Sequence, residues 1–130
     1  MVSITTKSPY ALNALIELYR HGDGGPVPIA ELARRREIPV QFLEQLFATL
    51  RRAGVLRSQR GVKGGYSFGR PPDQITVLEL VEILDGPLGR GASGIFFEAA
   101  QAAGAVLSEA TVASIAEHEI AAAGTPMYHI

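Results

Sequence analysis

Cysteine is absent from the 130 residues, and so is tryptophan. Without thiolates the chain can hold no disulfide, no cysteine nucleophile, no zinc–cysteine site and no cysteine-ligated iron–sulfur cluster. Long apolar runs are also missing. No stretch of about 20 residues is free of charged and polar groups, and the start MVSITTKSPY has no apolar block after a basic one, so neither a membrane span nor a secretory signal is supported. The expected location is the cytoplasm. Histidine is scarce: His21, His118 and His129 show no metal-ligand spacing, and none stands beside a serine or aspartate in a nucleophile motif. Catalytic residues, metal and cofactor are therefore all expected to be none. With no acid–base pair and no phosphate-binding strand–loop–helix, the chain does not read as an enzyme.

An apolar content of 47% is enough for one core, in one domain or in one domain with an appended arm. The net charge of −1 hides a division. Residues 1–70 carry eleven Lys and Arg against five Asp and Glu, whereas residues 71–130 carry one against eight. A basic half suits a polyanion; an acidic half would be repelled by one and is expected to point elsewhere. Chance asymmetry on a solvated surface would give the same composition, so the motifs have to decide.

Ser8 and Pro9 read as an N-cap and a first helical residue, ahead of Leu12, Leu15, Ile16 and Tyr19 at helical spacing up to Gly22. PIAELARRR then predicts a helix of about two turns with Ile29, Leu32 and Ala33 on its apolar edge. VQFLEQLFATLRRAG places Leu43, Leu46, Phe47 and Leu50 on one face, and Gly54 stops it. The opposite face presents Gln41, Glu44, Gln45, Ala48 and Arg52. Two helices joined by a short turn, the second apolar behind and hydrogen-bonding in front, fit a helix-turn-helix and equally any helical hairpin.

The next segment separates the two. VLRSQR and YSFGR predict short strands around GVKGG, a β-hairpin directly after the candidate recognition helix, and that order is a winged helix. A hairpin needs one or two glycines, yet RGVKGGY has three beside Arg60 and Lys63. The expectation is that these glycines let the backbone approach a phosphate or enter a groove. After RPPDQ, Thr76 and Glu79 form a capping box ahead of Val77, Leu80, Val81 and Leu84.

The flexible connector DGPLGRGASG leads to IFFEAAQAAGAVLSE, whose Ile95, Phe96, Ala99, Ala102, Ala103, Val106 and Leu107 form an i, i+3, i+4 stripe. A helix about 22 Å long with such a stripe is expected to pack against its symmetry mate. Thr111 to Ile120 predict one more short helix, its acidic groups keeping the far side of the dimer soluble. The expected fold is mainly α with a small β-hairpin: a winged helix-turn-helix DNA-binding domain over 1–86, a connector over 87–94, a dimerisation helix and short helix over 95–123, and a C-terminal tail over 124–130.

TKSPYAL, PIAELARRREIPVQFLEQLFATLRRAGVL and RGVKGGYSFGRPPDQITVLELVEILDG together resemble the Rrf2 (Rrf-two) family of winged-helix transcription regulators, with its IscR and CymR branches. The likeness covers residues 4 to 86 closely and 95 to 120 loosely. FLEQL, RRAGV, RGVKGGY and ITVLEL stand in the family's order and spacing. The resemblance implies a homodimer on palindromic double-stranded DNA, recognition helices in successive major grooves and the wing at the minor groove or backbone. On matching positions Gln41, Glu44 and Gln45 would face base edges, Gln suiting adenine and the carboxylate suiting the cytosine amino group. Lys7, Arg51, Arg52, Arg60 and Lys63 would hold phosphates or the narrow groove. Plain solvation of Gln41 and Gln45, and service of Arg52 at the helix C-terminus, remain open.

The chain departs from the family at several places. Pro28 and Pro39 stand where serines usually open helices two and three, and Ser8-Pro9 replaces a Gly-Arg, so side-chain caps and one cation are missing. Where iron–sulfur members carry a cysteine cluster, this connector reads PLGRGASG. The nearer likeness is to cluster-free, CymR-like members, which repress genes of cysteine and sulfur metabolism together with cysteine synthase. That enzyme accepts tails ending in isoleucine, so Tyr128, His129 and Ile130 are the expected partner-binding residues: a carboxylate can take backbone N–H bonds while an aliphatic side chain fills a pocket. A frayed tail, or one tucked on the dimer, fits the same residues. Two other functions stay open: a winged-helix module that binds only protein, which would not need the basic half, and a regulator of another pathway sensing a small effector.

Overall fold

The structure, a computed structural model, describes residues 7–22 and 24–123. Helices α1 (Lys7–His21), α2 (Ile29–Arg36) and α3 (Val40–Arg52) precede a hairpin of β1 (Leu56–Gln59) and β2 (Gly65–Phe68). A 3-10 turn at Pro72–Gln74 then leads to α4 (Val77–Asp85), α5 (Ile95–Glu109) and α6 (Val112–Ala123). The strands are antiparallel, with Leu56 opposite Phe68 and Gln59 opposite Gly65. This is the mainly helical winged architecture that the spacing predicts.

The core grows from the apolar face of α3. Leu43, Leu46, Phe47 and Leu50 are buried, and they meet Leu15, Leu32, Val55, Ile75 and Leu80 from the surrounding elements. Each such side chain stabilises the fold by about 1.5–3 kcal/mol. Helix α3 ends as its sequence predicts: Gly54 takes φ +83°, its N–H reaches Arg51 O at 3.0 Å, and Val55 N–H reaches Leu50 O at 3.0 Å. That closing pair aims the chain straight into β1. The turn between α2 and α3 is tighter. Glu37 occupies the left-handed region at φ 54°, where a side chain costs energy, and Ile38 N–H closes the turn on Ala33 O at 2.9 Å.

Local chemistry departs from expectation at four helix starts. Helix α1 already includes Lys7, so Ser8 lies inside its first turn; the buried hydroxyl donates to Asp85 Oδ2 at 2.8 Å instead of capping. Pro28 and Pro39 stand at N-cap positions, one residue before the first helical residue, without a side-chain cap. Thr76 does cap α4 by accepting the Glu79 N–H at 3.1 Å, but the Glu79 carboxylate turns to Arg70 and leaves the capping box half made.

The acidic end does not point away. Helix α6 returns to α1, led by an antiparallel bridge between Thr76 and Thr111, with Val112 and Ala116 buried. Its carboxylates meet the cations of the basic half. Arg36 grips Glu119 with two hydrogen bonds, at 2.7 and 3.2 Å, and reaches Glu17 with its Nε at 2.9 Å. Arg20 also donates to Glu119, Arg35 joins Glu17 to Glu31, and the Tyr19 hydroxyl donates to Glu117 at 2.8 Å. Glu117 and Glu119 thus tie α6 to the head, where the sequence suggested they only keep a far surface soluble.

The hydrogen bonds from Arg36 hold the Glu119 carboxyl below the ordinary glutamate value near 4.5. Burial pushes Glu17 upward, but the guanidinium groups of Arg35 and Arg36 outweigh it and leave that carboxyl lowered as well. A folded-state value below the unfolded one means stability that is present above about pH 4.5 and is lost as pH falls through the lowered values. Glu119 is a third exposed, so screening trims its contribution. Glu119→Gln should therefore cost about 1 kcal/mol in urea unfolding at pH 7. The gap from wild type should close as pH falls through the lowered Glu119 value; equal midpoints at pH 7 would show that the cluster holds nothing.

Candidate nucleic-acid interface

Because α3 buries one face, its other face is presented to solvent. Gln41, Glu44 and Gln45 are all exposed and follow i, i+3, i+4 spacing, so they are neighbours on one helical surface. Arg51 and Arg52 are exposed at the C-terminal end of the same helix. Arg52 donates to Thr49 Oγ1 at 3.2 Å, one turn back on the same helix. Lys7 is exposed at the opening of α1. Tyr10, on the next turn, stacks edge-on against Phe42 at 5.6 Å and props the start of α3.

The hairpin stands rigidly beside that helix. Tyr66 packs its ring against Phe47 at 5.1 Å, and its backbone exchanges two hydrogen bonds with Val27, at 2.8 and 2.9 Å. Wing and recognition helix thus share one buried aromatic contact. The glycines here correct the sequence reading. A Cβ on Gly64 would lie 2.3 Å from Gln59 O, and one on Gly65 would lie 2.3 Å from Val27 O. Two of the three glycines are demanded by close approach inside the chain, not by a phosphate; only Gly61 has open space around it. Arg60 and Lys63 remain exposed at the end of the hairpin.

The ion pairs divide the basic half in two. Arg20, Arg35, Arg36 and Arg70 are paired with carboxylates inside the fold. Among the described residues, Arg51, Arg52, Arg57, Arg60 and Lys63 have no carboxylate within 4.0 Å. The cations of this second set are those of the α3 end and the wing, whereas Arg34 on α2, though exposed, lies 3.8 Å from Glu31. Glu44 is the one carboxylate on the exposed face of α3, and it has no salt-bridge partner among the described residues. The tail residues Tyr128, His129 and Ile130 lie outside the described residues.

A helix-turn-helix with a rigid wing and a cationic exposed face defines the winged-helix class that docks on DNA. Within that class the chain belongs to the Rrf2 family, described as "Iron-dependent Transcriptional regulator", which matches residues 4–94. It is 40% identical over 84 residues to the HTH-type transcriptional regulator IscR of Aliivibrio salmonicida, covering 65% of this chain and 50% of the relative. It is 38% identical over 87 residues to CymR of Bacillus subtilis, covering 67% and 63%. The solved structure of that CymR, titled the global cysteine regulator of B. subtilis, superposes with a TM-score of 0.82 over 91% of this chain and 98% of its own, at 31% identity. IscR of T. potens superposes with a TM-score of 0.84 over 98% and 95%, also at 31% identity. The chain spans 50–63% of the length of these curated relatives. Family and relatives are transcriptional regulators, not enzymes, and no described helix is long and apolar enough to cross a membrane.

The family's iron does not fit this chain as a cysteine-ligated centre. The sequence has no cysteine, and among the described residues no three His, Asp or Glu side chains gather as metal ligands. The connector between α4 and α5 offers Arg90 as its one charged side chain, a cation unsuited to a metal.

The exposed Glu44 gives a sharp test. Its charge opposes phosphates, whereas a carboxylate can accept from the cytosine amino group. Glu44→Ala should flatten the preference at one base pair by roughly tenfold while raising affinity for unrelated duplexes. Titration of single-base operator variants reads this directly, and an unchanged ranking would take Glu44 off the reading face.

Proposed function

We propose that the chain is a homodimeric DNA-binding repressor of cysteine and sulfur metabolism genes, acting in the cytoplasm without an iron–sulfur cluster. The observation that carries DNA binding is the sorting of cations: those of the scaffold are neutralised by Glu17, Glu31, Glu79 and Glu119, and those of the α3 end and the wing are left for phosphate. In this reading Gln41, Glu44 and Gln45 face base edges, while Lys7, Arg51, Arg52, Arg60 and Lys63 hold the backbone or narrow groove. The winged head over 1–86 reads DNA, and α5 joins two copies. Ile95, Phe96 and Val106 support the pairing, being 68%, 62% and 68% exposed on one side of α5. The pathway rests on likeness to CymR, the global cysteine regulator of B. subtilis. Cysteine synthase belongs to the same proposal as a partner of Tyr128, His129 and Ile130, carried over from the resemblance to CymR-like members.

Selection of genomic fragments by the purified protein should return palindromic sites near sulfur genes, with binding that weakens steeply with salt. Phe96→Glu combined with Val106→Glu should sediment as a monomer and lose at least tenfold in affinity for the palindrome. Fragments without symmetry or common pathway would end this reading.

Replacing Tyr128, His129 and Ile130 by alanine should abolish capture of cysteine synthase and leave operator affinity within twofold. Equal capture by the replaced form removes the enzyme from the partners.

A further inference from the structure

The wing carries one side chain that its charge does not explain. Gly64 N–H bonds to Gly61 O at 3.0 Å, closing a four-residue turn with Val62 and Lys63 as its two central residues. Val62 is fully exposed, at 105% of its reference area. Of the other large exposed apolar side chains, Ile95, Phe96, Phe97 and Val106 share α5, Tyr10 stacks on Phe42, and Val40 and Ile120 are only 37% and 41% exposed. Val62 stands alone, with Arg60 two residues before it and Lys63 directly after. Its backbone is held in place, since Gly64 and Gly65 press against Gln59 O and Val27 O and the Val27–Tyr66 bridge anchors the base of the turn.

A cation in such a turn can meet a phosphate from many positions. A branched aliphatic side chain cannot; it contributes only where water is excluded around it. The minor groove provides that surface, with sugar edges as walls and a width of about 6 Å that admits one such side chain between two backbone-bound cations. We propose that Val62 is the apolar tip of the wing and packs against sugar and base edges in the minor groove, adding a salt-independent part to duplex affinity and favouring A·T pairs beneath the wing. The preference follows from the guanine 2-amino group, which fills the groove floor at G·C pairs and is missing at A·T pairs. The inference rests on the DNA-binding reading above and deepens it.

The test titrates the full chain with the duplex that the wild type selects, at several salt concentrations. Val62→Ala should weaken binding about three- to tenfold, by the same factor at every salt concentration. Lys63→Ala should instead lower the salt slope by about one. Val62→Leu should bind within about twofold of wild type. Inosine in place of guanine beneath the wing removes the 2-amino group, and should tighten the wild type by more than it tightens Val62→Ala. Wild-type affinity for Val62→Ala throughout overturns the inference, as does a slope change of about one in that variant, or an equal gain from inosine in both. If the wild type selects no duplex, it is the DNA-binding reading that fails, and the tip contact goes with it.

Discussion

The contact between Phe47 and Tyr66 is the constraint on which the rest of the head depends. Phe47 is fully buried on the inner face of α3, and Tyr66 belongs to β2, so one aromatic pair joins recognition helix to wing. An edge-to-face pair adds about 0.5–1.5 kcal/mol beyond its burial. Its larger effect is geometric. The same Tyr66 bonds through its backbone to Val27 ahead of α2, while Gly54 and Val55 turn the end of α3 directly into β1. Helix and wing therefore cannot move independently without breaking the Phe47 contact, the Val27 bridge or the closing turn of α3. A surface that reads DNA with two elements needs this, since a small misplacement of either spoils the register of the other.

Net charge hides the surface that matters. A chain at −1 overall would be a poor candidate for phosphate binding if its charges were spread evenly. They are not. The carboxylates of α6 and of Glu17 and Glu31 collect Arg20, Arg35 and Arg36 on one side of the scaffold, leaving the α3 end and wing cationic. Helix α6 thus neutralises the arginines that pack the head and does not oppose the ones that face outward. The bidentate Arg36–Glu119 pair, with Arg36 also held by Glu17, is geometrically specific in a way a lone surface pair is not.

What could be read in advance was local, and what could not was long-range. The period of Leu43, Leu46, Phe47 and Leu50 placed α3, Gly54 ended it, and the short strand-type runs on either side of GVKGG placed the hairpin, because each signal lies within a few residues of what it determines. Ser8 misled because its partner, Asp85, is far along the chain; a serine before proline looks like a cap until a half-buried carboxylate is found for it. The return of α6 was hidden for the same reason, since nothing near Glu119 announces Arg36. The wing glycines were legible as necessary but not for the right cause. Steric pressure from Gln59 O and Val27 O is a property of the folded turn, and composition alone cannot tell it from room left for a ligand.

The position of α5 follows from being held at both ends by the head. Near its start, Gly89 of the connector crosses so close to Ala100 that a Cβ there would sit 2.7 Å from the alanine methyl. Past its end, Val77 N–H takes Ala110 O at 2.8 Å, and Val112 N–H takes Ile75 O at 2.9 Å, with α6 then fastened to α1. A helix pinned this way carries the head with it. Two copies joined along Ile95, Phe96 and Val106 would set the distance and angle between their reading faces through the α5 contact. Half-site spacing is then a property of the α5 packing rather than of the reading helix. In a chain that cannot carry a cysteine-ligated cluster between α4 and α5, this pinned helix would be, in the proposed dimer, a direct mechanical connection between the seam and the reading face.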